Sequence, residues 1–206
     1  MCYNIAEMVS IREKTTVRQR QIVDAARKVI IKYGSEHVTV RKIAEETGVS
    51  EGAIYRHFKS KRDILSLMIY DVESILLADF KSLPLNEPLT LETLEIVMSN
   101  HMASVVQRKG VSFQVIAEVV SFGDKKLNRQ ASAVINKYTE RIRAILSEGV
   151  KAGAVREDID LKAAATLFFG MTQGLVNSWT LSQYSFNLEE EYLSLWKLFR
   201  EAIIRR

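Results

Sequence analysis

The sequence predicts an all-α protein: a small N-terminal three-helix bundle followed by a larger helical domain. Three observations carry this reading. Apolar residues recur at helical spacing along most of the chain, with no alternating strand-like run of any length. Only two prolines and nine glycines interrupt 206 residues. The hydrophobic share, 47%, is enough to bury one domain of average size or two small ones.

Residues 1–15 read as a flexible arm. Its Arg12 and Lys14, with Arg18 and Arg20 just beyond, either reach neighbouring phosphates or a minor groove, or form a solvated tail. The first helix is predicted to start at Thr16, with Gln19 completing a capping box. It carries Ile22, Ala25, Ala26, Val29, Ile30 and Tyr33 at helical spacing and stops at Gly34.

The stretch from Thr39 to Lys61 holds two short helices around a tight turn. Thr39 can cap the first, and Val40, Ile43 and Ala44 make one apolar face. Gly48 supplies the positive φ that a sharp turn requires. Ser50 can cap the second helix, with Val49 and Ile54 spaced as a hydrophobic staple and Phe58 continuing the inner face. Glu51, Gly52, Tyr55, Arg56, His57 and Lys59 are left near or facing solvent. An aromatic, a histidine and two cations on the outside of so short a helix suit a helix-turn-helix whose second helix lies in a DNA major groove. A packed helical corner with solvated charges is the alternative reading of the same spacing.

In that docking, residues at the start of the second helix meet base edges. Glu51 can accept from a cytosine amino group, and Arg56 can pair with guanine O6 and N7. Gly52 and Ala53 allow close approach, Ala53 beside a thymine methyl. Glu51 has a competing role, since a carboxylate in a first turn stabilises the helix by about 0.3–1 kcal/mol with no DNA present.

The residues Ile43-Ala44, Gly48-Val49-Ser50, Gly52, Ile54-Tyr55, His57-Phe58, Ser60-Lys61 and Ile64-Leu65 match the pattern I-A-x-x-x-G-V-S-x-G-x-[IL]-Y-x-[HY]-F-x-[SN]-K-x-x-[IL]-L. Over residues 16–70 or so the chain therefore resembles the N-terminal domain of the Tet-repressor (TetR) family. The resemblance implies that Arg41 lies at a base or the backbone, and that Tyr55, His57 and Lys61 touch phosphate. Thr39 and Ser50 belong to the same interface. Lys61 would sit in the first turn of the next helix, where free N–H groups also favour an anion.

Ser60-Lys61-Arg62-Asp63 reads as a capping box opening a long helix through Ile64, Leu65, Met68, Ile69, Val72, Ile75 and Leu76. The helix should run to about Leu83, where the Pro84 to Pro88 segment stops it. Further helices are predicted from Thr90 to Lys109, from Val111 to Phe122, and from Asp124 towards Gly149. Two more follow, capped by Asp160 and by Asn187. The segment Ala163 to Leu181 holds no charged residue, so it must be buried on more than one face. A second subunit meeting it at Gly170 and Gly174 explains this, as does a central helix of a monomer. The family resemblance, with dimerisation through the last two helices, implies a homodimer.

The domains expected are therefore an arm over 1–15, a helix-turn-helix DNA-binding domain over 16–62, and an effector-binding and dimerisation domain over 63–206. Residues 63–83 form the connecting helix. Charge agrees with this division. Residues 1–62 hold thirteen Lys/Arg against seven Asp/Glu, whereas residues 63–206 hold sixteen against eighteen. The basic excess thus lies with the helix-turn-helix, which favours nucleic acid over a membrane surface. No stretch is apolar and long enough to span a bilayer, and the N-terminus lacks a secretory apolar region. The single Cys2 makes no internal disulfide and suits a reducing cytoplasm.

Enzyme chemistry finds no support. His37, His57 and His101 lie in separate segments without ligand spacing, so no metal or other cofactor is expected. No phosphate-binding glycine loop occurs. His101 reads as a helix-surface or pocket-edge residue. An effector pocket is expected among Phe113, Ile116, Phe122, Met171, Leu175 and Trp179, with Gln114, Gln173 or Asn177 as polar anchors. These segments carry no Arg/Lys cluster, which points to an apolar or amphipathic effector. The expected function is that of a one-component repressor, binding a near-palindromic operator as a dimer and released by a small molecule. An activator of the same fold, and a helical scaffold that never meets DNA, remain as alternatives.

Overall fold

A computed structural model describes residues 5–34, 37–81 and 90–204, with side chains described from residue 17 onward, Asp79 and Lys81 excepted. Nine helices make up the described chain: α1 (Ile5–Tyr33), α2 (Val40–Thr47), α3 (Glu51–Tyr55), α4 (Lys61–Lys81), α5 (Leu91–Gln107), α6 (Val111–Phe122), α7 (Lys125–Lys151), α8 (Leu161–Leu181) and α9 (Leu188–Ile203). Among these residues the only β feature is a single bridge, Val155 to Ile204.

The first helix differs from expectation. It runs unbroken from Ile5, so Thr16 lies inside it and caps nothing. Residues 5–15 contain neither Gly nor Pro and are rich in good helix formers, which explains the extension. Tyr33 also departs from the inner stripe. It is exposed, and its ring lies against Lys42 Nζ (4.6 Å to the centroid) and Lys32 Nζ (4.9 Å). The expected stop at Pro84 to Pro88 falls outside the described residues.

Contacts divide the chain into two compact units, residues 1–71 with 114–128, and residues 72–113 with 129–206. In the first, α1 packs on α2 and α2 on α3. Its buried residues include Ile22, Ala26, Val29 and Ile30 of α1, Ile43 and Ala44 of α2, Ile54 and Phe58, and Ile64, Leu65, Met68 and Ile69 of α4. The α1 and α4 residues recur at the three-to-four spacing that puts them on one helix face.

In the second unit, α9 packs on both α5 and α8. Phe168 is fully buried there and meets Trp196 (6.1 Å) and Phe199 (5.1 Å) edge-on. His101 is also buried, its ring 6.3 Å from that of Tyr138. The helix-surface position expected for it is therefore corrected. It shares the face of Leu94, Met98, Met102 and Val105, at intervals that all turn inward.

The helix starts follow their caps. Thr90 and Thr93 close a reciprocal capping box. Asp160 accepts from the N–H groups of Lys162 and Ala163, both 2.9 Å. Asn187 accepts from those of Glu189 and Glu190. At α4 the Asp63 carboxylate accepts from the Lys59 N–H (2.8 Å), one residue upstream of the Ser60 N–H expected from the sequence.

Candidate nucleic-acid interface

The geometry around α3 follows from three local interactions. Thr39 Oγ1 accepts from the Lys42 N–H (3.1 Å) and starts α2. Gly48 ends it at φ +68°, its N–H reaching back to Glu45 O, a conformation costly for any residue with a Cβ. Ser50 Oγ then accepts from the Ala53 N–H (3.2 Å) and starts α3. Ile54 and Phe58 are buried beneath.

That anchoring leaves the opposite side of α3 open. Glu51, Gly52, Tyr55 and Arg56 are exposed, Tyr55 to 50%, while Ala53 and His57 are half-buried. Glu51 and Arg56 join no ion pair among the described residues. A Cβ added at Gly52 would meet only Ser50 Oγ, at 3.9 Å. Packing therefore does not require glycine there, and its smallness instead leaves room for something approaching from outside.

Thr39 and Arg41 are exposed on the same unit. The Arg41 guanidinium lies 3.2 Å from Glu45, which Lys42 also approaches (3.4 Å). Hydrogen bonds from Arg41 and then Lys42 hold the Glu45 carboxyl below its ordinary range.

Lys61 differs from the other expected contacts. Its ammonium is 2.6 Å from the Glu118 carboxylate of α6, with side-chain exposures of 24% and 8%. The ring of Phe122 lies 5.8 Å from the same nitrogen. Arg62 beside it pairs with Asp124 (3.2 Å), the residue that accepts from the first N–H groups of α7. Sequence reasoning missed Glu118. The signal was a single acid inside the otherwise uncharged run VSFQVIAEVVSF, where an unpaired carboxylate would be costly.

The six residues proposed for an effector are distributed over both units. Ile116 and Phe122 belong to the first, and Phe122 is 43% exposed. Phe113, Met171, Leu175 and Trp179 belong to the second. Phe113 borders a cavity of about 10 Å³ with Val105, Arg108 and Ser112, room for one water at most. Trp179 donates its indole N–H to Phe186 O (3.0 Å) and stacks edge-on with Tyr184, a structural role at the end of α8. Gln173 and Asn177 hydrogen-bond to each other (3.2 Å). Tyr192 Oη and Trp196 Nε1 are buried in the same unit and find no hydrogen-bond partner among the described residues, and burial drives the Tyr192 phenol above its ordinary range.

Two family models cover most of the chain. Residues 22–68 match the model for bacterial regulatory proteins of the tetR family, and residues 85–202 match that for the C-terminal region of YsiA-like proteins. The chain belongs to the TetR family. It is a ligand-responsive, DNA-binding transcriptional regulator of that all-α type.

Among its relatives is the fatty acid metabolism regulator protein of Bacillus subtilis, 26% identical over 82% of this chain and 86% of that one. The nucleoid occlusion factor SlmA of Vibrio vulnificus is 24% identical over 92% of this TetR-family chain and 97% of its own. The crystal structure of FadR from Bacillus subtilis in complex with stearoyl-CoA superimposes with a TM-score of 0.75 at 26% identity, covering 87% of this chain and 96% of that one.

Proposed function

We propose that this TetR-family protein is a repressor acting in the cytoplasm, which binds a near-palindromic operator as a homodimer and is released by an amphipathic effector of the long-chain acyl class. Residues 16–62 read the DNA, and residues 63–206 bind the effector and the second subunit. The observation that carries the DNA reading is the exposed side of α3, where Glu51, Gly52, Tyr55 and Arg56 stand clear above the buried Ile54 and Phe58. Glu51, Gly52, Ala53 and Arg56 meet base edges. Thr39, Arg41, Ser50, Tyr55, His57 and Lys61 position the protein on the backbone.

A dimer places two copies of α3 in successive major grooves, about 34 Å apart. The support for it is a stripe along α8. Ala163, Leu167, Gly170, Gly174 and Leu181 are exposed there, although the helix holds no charge beyond Lys162. Effector binding favours a conformation in which the half-sites no longer match this spacing. The acyl class is supported by the stearoyl-CoA complex of a relative, and by Tyr192 Oη and Trp196 Nε1 on the buried face of the amphipathic α9, which find no hydrogen-bond partner among the described residues and are donors for a carbonyl or thioester.

The test is binding to a duplex from the region upstream of the protein's own coding sequence, across a range of salt. Tyr55→Ala is expected to weaken binding about equally on specific and random DNA, whereas Arg56→Ala should cost about 1–3 kcal/mol at one operator position and relax preference there. Equal losses on both DNAs for Arg56→Ala would remove its base-reading role, and no salt-sensitive binding to any duplex would remove the DNA reading altogether. For the effector, stearoyl-CoA at micromolar concentration should release the operator complex while coenzyme A alone does not. Release by neither would refute the acyl class.

A further inference from the structure

Among the described residues Glu118 is the only carboxylate whose side chain is buried. A buried charge needs a partner, and the one it has is Lys61, a cation the DNA interface itself would use. Arg62, the next residue, is likewise paired with Asp124. The first turn of α4 thus has both of its cations turned to carboxylates on the segment from α6 to α7. All four residues lie in one compact unit with α3.

We propose that Glu118 is an intramolecular stand-in for a DNA phosphate, which sets the protein's affinity for duplex by holding Lys61 until a backbone phosphate displaces it. The proposal rests on the DNA-binding reading above. Its physics is an exchange. Lys61 trades one charge-assisted hydrogen bond for another, but the carboxylate it leaves is buried and unpaired. Glu118 therefore opposes every complex in which Lys61 contacts phosphate, whatever the base sequence. A shift of α6 that draws the carboxylate away from α4 would release the lysine, and one that presses it closer would retain it. Affinity for DNA is then set by a residue that never touches DNA.

The experiment is fluorescence anisotropy with the upstream duplex and a scrambled duplex at several salt concentrations. The proteins are wild type, Glu118→Gln, Lys61→Gln and the double variant. Glu118→Gln keeps the shape and a neutral acceptor, and is expected to bind both duplexes about tenfold more tightly, a change of about 1.4 kcal/mol, at unchanged salt slope. Lys61→Gln should flatten the slope by about 0.9. In the Lys61→Gln background, Glu118→Gln should add nothing. A gain that survives there would mean general removal of negative charge and would overturn the proposal, as would no gain from Glu118→Gln alone or an unflattened slope for Lys61→Gln. If melting shows that Glu118→Gln does not fold, Glu118→Met fills the same buried position and is held to the same outcomes. Wild-type protein that binds no duplex in a salt-sensitive way sinks the DNA reading and this proposal together. Wild-type binding with an unresponsive Glu118→Gln sinks this proposal alone.

Discussion

Gly174→Trp is expected to break the proposed dimer into monomers in sedimentation and to lower operator affinity by about 10²–10⁴-fold. The size of the loss follows from avidity. When two half-site readers are joined, the second contact is intramolecular, and separating them forfeits that factor. The position makes the substitution selective. Gly174 is exposed on α8, and a Cβ built there meets nothing within 4 Å, so a side chain leaves the helix towards solvent without a clash at its root and should leave the protomer's melting temperature nearly unchanged. Gly170, one turn earlier, is equally open. A variant that still sediments as wild type would show that this stripe is not where two copies meet.

Phe168→Ala is expected to destabilise the protein by about 3–5 kcal/mol, because the aromatic side chain is lost from a core that collapses only in part. For a chain of this size, at about 2–4 °C per kcal/mol, the melting temperature should fall by roughly 6–20 °C. Phe168 is fully buried and packs edge-on against both Trp196 and Phe199, so its removal also loosens the seam between α8 and α9. Leu167, its exposed neighbour, is the control and should change protomer stability little. A drop below about 3 °C for Phe168→Ala would mean that the three rings do not form the centre of this core.

The helix-turn-helix was legible because its determinants are local. Thr39, Gly48 and Ser50 act on backbone groups within four residues of themselves, and the observed caps and the φ of Gly48 match that reading. The outward placement of Glu51, Tyr55 and Arg56 follows from the buried Ile54 and Phe58 by helical geometry alone. The start of α1 was misread because a possible cap at Thr16 counts for little when the preceding residues also favour helix. The helix-surface alternative for His101 failed because nothing local marks which face of an apolar helix a second helix will cover. The hydrogen bond from Trp179, expected to line an effector pocket, to Phe186 O depends on a turn whose course residue types do not reveal.

By itself the sequence determined the helical class, the positions of most caps, and the motif that places the chain in its family, since each depends on contacts between near neighbours. Only the tertiary structure decided that Lys61 faces a carboxylate 57 residues away, that His101 is enclosed, and that the residues considered for an effector are shared between two units. Those outcomes depend on which helix faces meet. Many packings satisfy the same apolar periodicity, and a buried charge such as Glu118 discloses its partner only once one of them is chosen.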